Sequence, residues 1–142
     1  MTLSLRGRLE TRVFLVLTVG VVWTIGLTTV RGPASYRSNL TMLALMGAIG
    51  VGWELLYHAL QQLRWDKDWP SIFAALAVIN EGALLWTVVG WIDDPAVQRG
   101  SPTSFVGLVG STWLAMWLFM QGPMRVVFLR WRLRGGRILC SR

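Results

Sequence analysis

Charge is scarce in this chain. Only 15% of its 142 residues are Asp, Glu, Lys or Arg, against roughly 25% in soluble domains. With 54% hydrophobic residues and a mean hydropathy of +0.50, this excludes a disordered tail and an ordinary soluble enzyme. Cys140 is the single cysteine, so no intramolecular disulfide can form and a disulfide scaffold is excluded. It reads as a chance residue in a loose tail. His58 is the single histidine, which excludes a bis-His haem within one subunit. Neither a Ser/His/Asp nor a Cys/His constellation appears, and Ser35, Ser38, Ser101 and Ser104 fall on the outer side, far from His58. Lysine is also nearly absent. Lys67 stands against thirteen arginines, the codon bias of a GC-rich bacterial genome.

What is present is apolar length. Four segments, 13–30, 40–63, 70–92 and 104–129, each reach the roughly 20 residues that cross about 30 Å of hydrocarbon. None alternates with period two, so a β-barrel is excluded. The first run is longer than a signal-peptide core and no small-x-small site follows it, so it is expected to stay as a transmembrane helix. The connections 31–39, 64–69 and 93–103 are short, which makes successive helices antiparallel neighbours. The expectation is an all-α, polytopic membrane protein: one membrane domain over residues 1–142, a four-transmembrane-helix bundle.

Orientation follows from the basic residues. Eleven fall on the side of the two termini and the 64–69 turn, three on the other. The positive-inside rule then puts both termini in the cytoplasm. Trp65, Trp69 and Trp131 should mark the inner interface and Trp91 the outer one. The basic tail 130–142 supplies Arg130, Arg132, Arg134 and Arg137, expected to contact anionic lipid headgroups. Topology already accounts for this charge, so nucleic acid is not expected as a partner.

Polar groups inside the spans are costly and tend to face the bundle interior. Glu54 and His58 are i, i+4 and share a helix face. Gly47, Gly50 and Gln61 extend that stripe. Small residues there would allow close helix approach, and polar ones would bond across helices. Counting from the 64–69 turn at about 1.5 Å per residue, Glu54 and Glu81 fall at similar depth, near the midplane. The same counting brings in Gln121 and Arg125 of the fourth segment, with Gly122-Pro123 between them loosening that helix. A polar cluster of Glu54, His58, Asn80, Glu81, Gln121 and Arg125 is therefore expected. Two carboxyls in low dielectric cannot both ionise cheaply, so one should be protonated or a cation should stand between them. Arg125 or a protonated His58 is the expected compensating charge.

The Glu-x-x-x-His spacing is not that of a di-iron bundle, and Met116, Met120 and Met124 read as packing rather than haem ligands. No metal and no cofactor are expected. Asp68 can cap the third helix.

The strings Gly52-Trp53-Glu54-Leu55-Leu56-Tyr57-His58, the 64–70 turn, Asn80-Glu81-Gly82 and Gly122-Pro123-Met124-Arg125 with the Arg-Trp-Arg tail resemble small four-span membrane proteins of actinobacteria, a group without an assigned activity. The resemblance covers most of the chain. It implies the topology and a bacterial cytoplasmic membrane, and brings no catalytic residues. The expected role is non-enzymatic: an accessory or scaffold subunit in the lipid bilayer, docking on another membrane protein or on itself. The alternatives are an ion-, proton- or small-ligand-handling protein using Glu54, His58 and Glu81, and a membrane enzyme acting on a lipid.

Overall fold

The computed structural model describes residues 5–31, 36–63, 71–94, 97, 100–133 and 138, excepting the side chains of 31, 71–74, 130 and 132. The described residues are helical, with short breaks and no strand. The first rod runs through α1 (Leu5–Leu15), a π-helical turn (Val16–Gly20) and α2 (Val21–Arg31). It is followed by α3 (Tyr36–Leu63), α4 (Ser71–Trp91) and α5 (Pro102–Gln121), then two short helices, α6 (Pro123–Val127) and α7 (Leu129–Leu133). Three stretches, Leu5–Val30, Tyr36–Leu63 and Pro102–Val127, are long and apolar enough to cross a membrane. The fourth helix carries a shorter apolar stretch, Ala75–Trp91.

The first rod packs on α3, α3 on α4, and α4 on α5, while α5 returns to the π turn and α2. The register between the first rod and α3 is set by small and polar residues. Asn39 Nδ2 donates to Thr28 Oγ1 at 2.8 Å. A Cβ on Gly20 would come within 3.0 Å of Leu43, and one on Gly47 within 3.2 Å of Val16. Further along, Gly50 faces Arg12 and Glu54 faces Arg8. This is the Gly47, Gly50, Glu54 and Gln61 stripe read from the sequence. Close approach strengthens dispersion contact where lipid is as apolar as the side chains. Several hydroxyls in the apolar helices are satisfied locally: Thr18 Oγ1 donates to Phe14 O at 2.6 Å and Thr28 Oγ1 to Thr24 O at 2.7 Å, the usual i−4 back-bonding.

The helix boundaries differ from the expected ones at three main places, one being the start of α3, at Tyr36 rather than residue 40. The first helix begins by Leu5, not at residue 13. Its polar first turns are held by tertiary partners, which hydropathy does not register. The last segment is broken at Gly122 (φ −99°, ψ −92°) before Pro123, as Gly-Pro predicts, and again at Phe128 (φ −101°, ψ 65°). The chain then continues antiparallel to the first rod, along α1. Phe128 meets Phe14 edge-on at 5.7 Å, and Ile138 N donates to Glu10 Oε2 at 2.8 Å. Trp131 is 3% exposed, and its indole Nε1 donates to Thr11 Oγ1 at 2.7 Å. It is therefore an anchor inside the protein rather than an interface marker. Trp91, by contrast, is largely exposed. Trp65, Asp68, Trp69, Pro70 and Cys140 lie outside the described residues.

α5 begins on a cap legible in the sequence. Ser101 Oγ accepts from Ser104 N at 3.2 Å, with Pro102 at the first helical position. Gly100 before it has φ 62°, a conformation glycine adopts without steric cost.

Candidate functional site

α1 and α3 present matched polar faces. Arg8 and Arg12 are i, i+4 on α1, as Glu54 and His58 are on α3, so each pair projects from one side of its helix. Arg8 is buried; its Nη1 donates to Glu54 Oε2 at 3.2 Å and its Nη2 to Gln61 Oε1 at 2.7 Å. Arg12 reaches the third helix of the set. Its Nη1 donates to Glu81 Oε1 at 3.2 Å, and its Nη2 bonds the other oxygen, Glu81 Oε2. The same Nη1 stands 4.0 Å from Glu54 Oε1. Arg12 thus lies between the two carboxylates and ties α1 to both α3 and α4.

The network holds two guanidiniums and two carboxylates, so its charges cancel. The cation needed between the carboxyls is Arg12, not Arg125 or His58. Two-point Arg–carboxylate bonding is among the stronger side-chain interactions, and it offsets part of the cost of burying Glu81, which is 3% exposed. Removing one member of a buried pair typically costs about 3–5 kcal/mol, because its partner is left charged and unpaired.

Gly50 makes room for this arrangement. A Cβ there would overlap the Arg12 guanidinium. The guanidiniums reach the network from the first turns of α1, so it lies toward the end of the first rod that carries the N-terminus, rather than halfway along that rod.

The other expected cluster members are placed differently. His58 shares the face of Glu54 and is half-buried; its Nδ1 has no hydrogen-bond partner among the described residues. Asn80 is exposed on α4, beside Tyr57. Its neighbour Glu81 takes the inward position, since adjacent helical residues diverge by about 100°. Gln121 ends α5 half-buried, and Arg125 is exposed on α6. Neither joins the ion pairs among the described residues. Arg130 and Arg132 belong to α7, but their side chains, with Arg134 and Arg137, lie outside the described residues.

The residues missed from sequence are Arg8 and Arg12, which read as topology charges. A signal for them existed. Nineteen residues before Arg31 stands Arg12, and nineteen past Tyr36 stands Leu55. Hairpin counting therefore sets Arg12 beside Glu54. Among the described residues, no three His, Cys, Asp or Glu side chains gather closely enough to hold a metal ion. No protein-family model, curated protein or solved structure matches this chain.

Proposed function

We propose that this chain is a four-span protein of a bacterial cytoplasmic membrane, with both termini inside, acting as a non-enzymatic accessory subunit that docks on other membrane components. The observation that carries the reading is the charge balance of the buried network. Glu54 and Glu81 are each matched by an arginine, which is how polar groups fix helix register. A carrier site would need a carboxylate free to exchange its cation. With Arg8 and Arg12 neutralised in this way, nine basic residues remain on the proposed cytoplasmic side against three on the other, which supports both termini inside. The tail arginines Arg130, Arg132, Arg134 and Arg137 then meet anionic headgroups. Exposed Asn80, midway along α4, is the polar group that a docking helix of another membrane protein would engage.

The test is a mild-detergent pull-down of the tagged chain with mass spectrometry of proteins and bound small molecules, repeated with Asn80→Leu and Glu54→Gln. The expected result is stoichiometric recovery of a second membrane protein, lost with Asn80→Leu and kept with Glu54→Gln. Recovery of the chain alone, carrying an ion or a lipid that Glu54→Gln abolishes, would move the function to the Glu54 site.

A further inference from the structure

Away from the ion pairs, between α2, α3 and α5, lies a small, half-open cavity bordered by Thr24, Asn39, Met42, Met46, Val109 and Thr112. It has room for about one water molecule. Its walls are mostly apolar, but its polar members come from three different helices. Thr24 and Thr112 are 1% and 2% exposed. Thr112 Oγ1 has no hydrogen-bond partner among the described residues, unlike Thr28 and Thr18, whose hydroxyls return to a backbone carbonyl. Asn39 has Nδ2 committed to Thr28, which leaves its carboxamide oxygen as an acceptor.

A buried hydroxyl left unpaired is costly, and native structures resolve most such cases with a partner or an ordered water. A buried water is held when about two to four polar groups converge on a space of its size. Thr112, Thr24 and Asn39 border this space and are the groups that would hold such a water. We propose that this cavity is a hydration site. One ordered water accepts from the Thr112 hydroxyl and bonds Thr24 and Asn39, joining α5 to the first rod and α3. The Arg12 network staples one end of the bundle, and this water staples the other. The inference does not depend on which way the chain crosses a membrane.

The two states of the cavity predict opposite signs for one substitution. Thr112→Val keeps the side-chain shape and deletes the hydroxyl. If the hydroxyl is bound to water, its loss lowers the melting temperature of the detergent-solubilised protein by about 2–4 °C. Thr112→Ser, which keeps the hydroxyl, should fall less. Thr24→Val should give a similar loss, and the double variant should fall no further than the worse single one, since both remove the same water. An unchanged or raised melting temperature for Thr112→Val would overturn the proposal, as would full additivity of the two valines. The unaltered protein gives a direct readout. A high-resolution experimental structure should show ordered density within hydrogen-bonding distance of Thr112 Oγ1, and a dry cavity would refute the site whatever the variants do.

Discussion

Arg12 of α1 grips Glu81 of α4 at two points, Nη1 to Oε1 at 3.2 Å and Nη2 to Oε2, across 69 residues of chain. No other ion pair among the described residues spans so much sequence. The same guanidinium stands beside Glu54, so one side chain from the first helix holds charges belonging to the second and third.

Arg12→Ala should therefore destabilise the bundle by about 3–5 kcal/mol, leaving Glu81 buried and unpaired. Glu81→Leu alone should cost a similar amount by stranding Arg12. Arg12→Met combined with Glu81→Leu should recover most of the loss, since an apolar pair of similar volume replaces a buried ion pair at little cost. Unfolding in a mild detergent measures all three. Additive losses in the double variant would show that the two side chains do not act as a pair.

Gly50 and Gly52 lie two residues apart on α3, and their substitutions should behave in opposite ways. Gly50→Ala places a methyl against the Arg12 guanidinium and should lower stability by about 1–3 kcal/mol through overpacking. Gly52→Ala meets nothing within 4 Å and should be neutral or gain up to about 1 kcal/mol in helix propensity. Thermal melts of the two variants side by side decide it. Equal effects would mean that Arg12 does not occupy the space above Gly50.

The docking of the C-terminal segment on α1 rests on the Trp131–Thr11 hydrogen bond. Trp131→Phe keeps most of the ring and removes the donor. It should cost about 1 kcal/mol for the lost bond, with some further loss of packing. Thr11→Val should cost a similar amount, and the double variant less than the sum. Protease cleavage between residues 128 and 138 should quicken in each variant. An unchanged cleavage rate would place the stability of this docking in the Phe14–Phe128 contact instead.

The proposed topology has a labelling signature. In a Cys140→Ser background, a cysteine at Lys67 should react with a membrane-impermeant maleimide only after the membrane is opened. One at Arg99 should react in intact cells. The reverse pattern would invert the orientation, and equal reactivity at both positions would exclude a single span between them.

Helical class, the small stripe of α3 and the break at Gly122-Pro123 were legible because each is a local or periodic property. A glycine every few residues on one face, or a proline without its N–H, acts whatever surrounds it. The polar cluster was half legible. Burial cost located Glu54 and Glu81, since carboxyls in apolar helices need partners. Their partners were misassigned because Arg8 and Arg12 lie just outside the apolar window, where basic residues ordinarily report topology.

The sequence by itself determined that the chain is helical, that its helices are apolar enough to enter a membrane, and that two carboxyls within them require a cation. Those are consequences of composition and of one-dimensional spacing. Only the tertiary structure decided which cation it is. That choice depends on the antiparallel register of α1 against α3, on Gly50 admitting a guanidinium, and on the single-residue rotation that turns Glu81 inward and Asn80 outward. It also turned Trp131 from a surface anchor into a buried donor, because the last segment runs on antiparallel to the first rod and so places residues 120 positions apart in contact.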